Sequence, residues 1–190
     1  MSSLFGPGPQ LLLDDASGRI EYRPGALDAA TADAWFATLQ RDIPWRSERR
    51  LMYERELDVP RLMASYRLAD PALPATLREA AALASDAFGV AFNAVGLNLY
   101  RDADDSVAPH NDRLGDLVEG HPIVLLSLGA ARRMEIRAKR PPRRLLRLEL
   151  EPGSLLLMDY ATQLHYDHGI PKLATPCGPR ISLAFRVRSA

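Results

Sequence analysis

The spacing of apolar residues changes near Gly89. Before it, residues 28–39, "DAATADAWFATL", set Trp35, Phe36 and Leu39, together with Leu27, at roughly helical intervals behind a capping Asp28. Residues 74–88, "PATLREAAALASDAF", place Leu77, Ala81, Leu83 and Ala84 on one face, with Gly89 as a stop signal. Both stretches predict helices. The segment between them, "RSERRLMYERELDVPRLMASYRLADPAL", is charged, aromatic and broken by proline, which suits short strands and a surface loop rather than core. After Gly89 the apolar runs shorten and turn residues recur, through "VGLNLY", "PIVLLSLG", "RMEIRA", "RRLLRLELEPGSLLLMDY" and "PRISLAFRVRS". In the last of these Ile181, Leu183, Phe185 and Val187 alternate with Arg180, Ser182, Ala184, Arg186 and Arg188, which assigns two faces to one strand. Residues 151–154, "EPGS", read as a tight turn. Two helices followed by about eight short strands predict an α+β domain, its helices packed against an antiparallel sandwich or barrel.

Composition narrows this without changing it. A chain of 190 residues supports one well-buried core and is read as a single domain, residues 1–190. Net charge is zero, so any nucleic-acid surface must be local rather than global. The single cysteine, Cys177, can form neither an internal disulfide nor a thiolate metal site, which fits a reducing, cytoplasmic setting. The N-terminal "LLL" is too short a run, flanked by acids and prolines, for a signal peptide or membrane span.

The candidate chemistry lies in "PHNDR", residues 109–113. On an extended segment His110 and Asp112 point the same way and can share one ion in a facial arrangement. A third ligand must come from elsewhere. His121, beside Pro122 at the head of an apolar strand, reads as a surface or capping residue. His165 and His168 fall together in "QLHYDHGIPK", and Gly169 would let the backbone bend closely around an ion at His168, which is the preferred candidate. Two histidines and one carboxylate leave three octahedral positions open, as non-haem Fe(II) oxygenases require. Their commonest electron donor, 2-oxoglutarate, needs a cation for its far carboxylate. Arg180 and Arg186 share a face of the last strand and could supply it, although strand arginines are more often solvated.

Taken together, "NLYRDADDSVAPHNDR", "PIVLLSLGA", "PGSLLLMDYATQLHYDHGIPK" and "PRISLAFR" resemble the AlkB family of Fe(II)- and 2-oxoglutarate-dependent dioxygenases, especially members that repair double-stranded DNA. The resemblance covers roughly residues 60–188. It implies a double-stranded β-helix, or jelly roll, over residues 90–190, with residues 1–89 as a helical and loop extension forming a substrate lid. It also implies His110, Asp112 and His168 as the iron ligands, Arg180 on the distal carboxylate of 2-oxoglutarate, Arg186 near its C1 carboxylate, and Asn98 and Tyr100 lining the cosubstrate pocket. The implied reaction uses O2 and 2-oxoglutarate to hydroxylate an N-methyl group on a base, which then leaves as formaldehyde. The implied partner is alkylated nucleic acid, here DNA, bound by a monomer.

The chain departs from the family on the substrate side. Leu114 stands where relatives carry an acidic residue that reads the base, and Asp116 is the nearest substitute. Ser182 stands where an asparagine is common, and the lid segment after "VPRLMASY", residues 59–66, looks shortened. Tyr53 and Tyr66 are candidates to stack on a flipped base, or are equally packing residues. The basic run "RRMEIRAKRPPRRLLR" holds Arg132, Arg133, Arg137, Lys139, Arg140, Arg143, Arg144 and Arg147, and on a hairpin tip it could contact phosphates or simply be a solvated turn. The same core acting on RNA, a protein side chain or a small molecule remains open, as does a non-catalytic jelly-roll binding module.

Overall fold

The computed structural model describes residues 8–52 and 55–189. Two sheets face each other. The larger runs in the order β1 (Gln10–Asp15), β2 (Gly18–Arg23), β10 (Leu155–Met158), β7 (Ile123–Gly129), β12 (Arg180–Arg186), β5 (Ala94–Tyr100), β4 (Arg55–Arg67) and β3 (Arg46–Met52). The smaller runs β6 (Val107–His110), β11 (Tyr166–Ile170), β8 (Arg132–Ala138) and β9 (Leu145–Leu150). All pairings are antiparallel, and the fold is a jelly roll with helices packed on one face, the α+β class expected.

The large sheet separates two apolar layers. One face, with Val95, Leu97, Val124, Leu126, Leu183 and Phe185, packs on α1 (Ala29–Asp42) and α2 (Ala75–Phe88). The other, with Ile20, Tyr100, Leu125, Leu156 and Ala184, meets Met134, Ile136, Tyr166 and Ile170 of the small sheet. The alternation along β12 decides which face each residue serves: Ile181, Leu183 and Phe185 go to the helices, and Arg180, Ser182, Ala184 and Arg186 to the space between the sheets.

Both predicted helices form. Asp28 caps α1 by accepting a hydrogen bond from the Thr31 N–H at 3.0 Å, and the helix runs one turn past Leu39. On α2 the buried face is Leu77, Ala80, Ala81 and Ala84, with Leu83 only partly covered. Gly89 ends it at φ 66°, a left-handed conformation that glycine adopts without a Cβ clash. After Gly89 the described residues form eight strands, β5 to β12.

The first half is more β-rich than its pattern predicted. β1 and β2 form a hairpin that extends the large sheet, burying Leu13, Ile20 and Tyr22. The segment read as short strands and surface loop is instead a hairpin whose second strand, β4, is thirteen residues long and pairs with β5 over its last six, residues 62–67. Pro60 is tolerated there because the β3–β4 register slips opposite it, between Ser47 and Arg49, where a missing N–H breaks no ladder.

Candidate active site

Between the two sheets lies a cavity lined by Arg61, Asn98, Tyr100, Val107, His110 and His168, and by Leu125, Met134, Arg180 and Arg186. His110 and His168 stand directly opposite each other on β6 and β11, ring centroids 4.6 Å apart. The register slips between this pair and the next, Ile170 with Val107, so β6 carries one extra residue in the Ala108–Pro109 region. Pro109, which cannot donate to a ladder, occupies that bulge. The bulge folds tightly over Gly169: a Cβ there would lie 2.8 Å from the Val107 carbonyl oxygen and 3.0 Å from the Pro109 nitrogen. Gly169 therefore serves close approach of two strands, a related but different purpose from the bend expected of it.

Asp112 follows in coil, two residues beyond β6. One donor atom from each of His110, Asp112 and His168 can be chosen so that all lie within 4.8 Å of one another. Each is electronically prepared. His110 Nδ1 donates to the Ala108 carbonyl at 3.0 Å, leaving Nε2 with its lone pair free. Burial, aided by the nearby His110, pushes the His168 imidazole down to about 3, so it is neutral at ordinary pH. Burial raises the Asp112 carboxyl, but Arg186 more than offsets this and holds it below the usual carboxylate value. Arg186 does so with a two-pronged contact, Nε to Oδ2 at 2.8 Å and Nη2 to Oδ1 at 3.1 Å. Two imidazoles and one carboxylate within reach of a single point form a donor set that fits a non-haem Fe(II) ion.

At the cavity floor Arg180 is 1% exposed. Its Nη2 donates to Ser127 Oγ at 2.9 Å, while Nε and Nη1 have no hydrogen-bond partner. A buried guanidinium with two unpaired donor atoms is costly unless an anion completes it, and a ligand carboxylate matches it in charge and hydrogen-bonding capacity. Burial lowers the Arg180 pKa, and Arg132 adds to this. The Tyr100 ring centroid lies 5.3 Å from the Arg180 guanidinium carbon and 5.5 Å from that of Arg132. Asn98 Oδ1 accepts a hydrogen bond from Arg61 Nε at 2.7 Å.

The expected residues divide accordingly. His110, Asp112, His168, Asn98, Tyr100, Arg180 and Arg186 converge, although the Arg186 fork expected beside a cosubstrate carboxylate engages Asp112. The substrate-side candidates do not converge. Tyr66 lies on the face of β4 shared with Leu62 and Ala64, packed toward the helices and away from Arg61 and the cavity. Asp116 is exposed on a short 3-10 turn, Leu114–Asp116, and does not line the cavity. Tyr53 lies outside the described residues. Within the basic run, Arg132 is fully buried and donates to the carbonyls of Asp102, Asp105 and Pro171. Arg133, Arg137 and Arg147 pair with Glu149 and Glu135 on the outer sheet face. Arg144 pairs with Asp15 at 3.4 Å, leaving Arg140 and Arg143 as the exposed cations of the β8–β9 tip.

Sequence reasoning missed Arg61 and Ser127. Arg61 was visible only as part of "VPRLMASY", and nothing in the pattern showed that its face of β4 points inward. Ser127 sits inside an apolar strand run, where a lone serine was the available signal.

A family model described as the 2OG-Fe(II) oxygenase superfamily matches residues 19–186, and the chain belongs to that superfamily. Its cofactor is accordingly Fe(II), with 2-oxoglutarate and O2 as cosubstrates. Within the superfamily the chain is similar to AlkB homologues. It is 32% identical to the human alpha-ketoglutarate-dependent dioxygenase alkB homolog 3, over 88% of this chain and 65% of that protein, and 33% identical to the Bos taurus counterpart over the same shares. The chain thus spans less than two thirds of the length of those relatives. It is 38% identical to the human DNA oxidative demethylase ALKBH2 over 52% of this chain and 40% of that one. A solved structure of OsALKBH1 shares the fold, with TM-score 0.66 at 14% identity, over 94% of this chain and all of that one.

Proposed function

We propose that this chain is a dioxygenase that oxidatively demethylates N-alkylated nucleobases, of the 1-methyladenine or 3-methylcytosine type, in DNA. One observation carries the reading: the two histidines of a His-Asp-His donor set line the same cavity as a fully buried arginine with two unpaired nitrogens. When bound, Fe(II) with 2-oxoglutarate and O2 supplies the oxidation of an N-methyl C–H to an alcohol, with succinate and CO2 as co-products and the carbon then lost as formaldehyde.

The chain's own residues supply binding and order. His110, Asp112 and His168 would hold the ion, and a three-residue donor set would leave coordination positions for cosubstrate. Arg180 takes the distal carboxylate of 2-oxoglutarate, completing its two unpaired donor atoms, and Asn98 and Tyr100 form the wall of that pocket. Arg186 keeps Asp112 charged and fixes its plane. Val107, Leu125, Met134 and Ile170 supply the apolar part of the cavity wall, which favours a methyl group over water there. We assign the phosphate contacts to Arg140 and Arg143, whose exposure at the β8–β9 tip supports this, with Arg144 joining them on release from Asp15. A base in a duplex must be flipped out at a cost of roughly a few kcal/mol, less where a methyl lesion already weakens pairing. We read residues 1–190 as one catalytic domain, with residues 1–89 as the lid-bearing extension.

Succinate and formaldehyde would be measured with Fe(II), 2-oxoglutarate and an oligonucleotide carrying 1-methyladenine or 3-methylcytosine, beside the same strand unmethylated and a His110→Ala control. The expected result is equimolar succinate and formaldehyde that depend on the methyl group and vanish in the control. Succinate indifferent to methylation would overturn the nucleobase substrate, and its absence throughout would overturn the oxygenase.

A further inference from the structure

We propose that Gln163 and Lys139 are positioning residues that hold Asp112 in place for the metal, an inference that rests on Asp112 being a ligand. The three candidate ligands are not anchored alike. His110 and His168 lie on paired strands, so ladder hydrogen bonds fix both backbones. Asp112 lies in coil beyond the end of β6, where no ladder reaches it. Without other support its backbone would move freely relative to the two histidines, and a loosely held ligand weakens binding of an ion that requires all three.

The support comes from side chains. The Asp112 N–H donates to Gln163 Oε1 at 3.0 Å. Gln163 is 1% exposed and belongs to α3 (Tyr160–His165), the short helix that leads into β11. Its Nε2 donates to Thr162 Oγ1 at 3.3 Å, and Thr162 in turn donates to the Asp159 carbonyl at the helix start, so the amide is oriented with its oxygen toward Asp112. Lys139, just past the end of β8, closes the structure from the other side. Its Nζ donates to the Gln163 carbonyl at 2.8 Å and to Asn111 Oδ1 at 2.9 Å, and Asn111 Nδ2 donates to the Asp112 carbonyl at 2.8 Å. Asp167, 3.8 Å from Nζ, balances the charge.

The backbone of Asp112 is therefore held at both its N–H and its C=O, while Arg186 holds its carboxylate. The brace spans α3, β8 and the ligand loop. A buried glutamine is costly unless bonded, and this one uses its side-chain oxygen on the one ligand that secondary structure leaves unsupported.

The test is Mn(II) binding without cosubstrate, followed by the loss of the free-ion electron paramagnetic resonance signal, for the wild type, Asp112→Ala, Gln163→Leu, Gln163→Glu and Lys139→Met. Gln163→Leu keeps the volume and removes the acceptor, and should weaken Mn(II) binding about 10- to 100-fold, the range typical of outer-shell partners of metal ligands. Gln163→Glu retains an acceptor oxygen and should restore affinity to within about threefold of wild type, a rescue that a general packing defect would not show. Lys139→Met, at a partly exposed site where folding is not at stake, should weaken binding by roughly three- to tenfold. Wild-type affinity in both Gln163→Leu and Lys139→Met, while Asp112→Ala loses it, would overturn the brace and leave the metal site standing. Equal binding by the wild type and Asp112→Ala would overturn the ligand assignment and the brace together.

Discussion

Arg180 is the residue at which folding and function are most directly opposed. Its guanidinium is buried among apolar strands with two donor atoms unpaired, an arrangement that costs stability until a carboxylate arrives. Arg180→Met fills the same space without the charge. It should leave the metal-free protein as stable as wild type or raise its stability by about 1–2 kcal/mol in thermal unfolding. The same variant should lose about 100-fold or more in 2-oxoglutarate affinity by calorimetry, because a buried charge pair would be replaced by an unpaired carboxylate. A variant that is both less stable and still able to bind 2-oxoglutarate would contradict this account of the pocket floor. His168 makes a second prediction, in pH. Unfolded, its imidazole gains a proton below about 6.5, while in the folded chain it remains neutral down to about 3. Between those values the unfolded state binds the extra proton, so stability falls as pH falls, by up to about 1.4 kcal/mol per pH unit. Thermal midpoints of the metal-free protein between about pH 7 and pH 5 lie above the range where carboxylates titrate, and there His168→Gln should flatten the fall.

At the scale of elements, the site depends on how β6 meets β11. Gly169→Ala would place a Cβ within 2.8 Å of the Val107 carbonyl oxygen, and that backbone can yield only by opening the bulge. The substitution should cost roughly 2–3 kcal/mol of stability and weaken metal binding as His110 moves off its position opposite His168. Calorimetric unfolding and a metal titration on one sample would measure both, and an unchanged Tm would refute the close packing. This pairing also shows what the sequence could and could not reveal. His110, Asp112 and His168 were legible because a His-x-Asp motif, a distant His-Gly and a last strand with alternating arginines have few other uses in combination. The helices were legible from Asp28 and Gly89, whose capping roles are local. The β1–β2 hairpin was not, because its buried face is only Leu13, Ile20 and Tyr22, fewer residues than periodicity can register. Tyr66 was misplaced for a related reason. Facing alternates along β4, and only the sheet order shows that Leu62, Ala64 and Tyr66 look toward the helices while Arg61 looks into the cavity. Gln163 and Lys139 carried no signal at all, since their partner Asp112 is fifty-one residues from one and brought close only by the folding of α3 and β8.

Across the whole molecule, net charge is zero, so attraction to a polyanion must come from where cations are left unpaired rather than from their number. Counting arginines in the basic run overstates it: Arg132 is buried under loop carbonyls, and Arg133, Arg137 and Arg147 are matched by Glu149 and Glu135. What remains is the tip, with Arg140 and Arg143 exposed and Arg144 held only by a half-exposed contact to Asp15. Such a protein should bind an oligonucleotide with a shallow dependence on salt. Each phosphate contact contributes about 0.7 to the slope of log affinity against log salt for a single strand and about 0.9 for a duplex. Arg140→Ala with Arg143→Ala should therefore lower that slope by about 1.4 to 1.8, depending on the strand, and raise the KM for a methylated oligonucleotide. The Kd for Mn(II) and the uncoupled turnover of 2-oxoglutarate should be unaffected, since neither arginine contacts the cavity. Fluorescence anisotropy over a salt series measures the slope for both proteins. An unchanged slope with an unchanged KM would mean that nucleic acid, if bound, approaches by another face. A lowered slope confined to duplex substrate would instead place the second strand over the β8–β9 tip while the methylated strand enters the cavity.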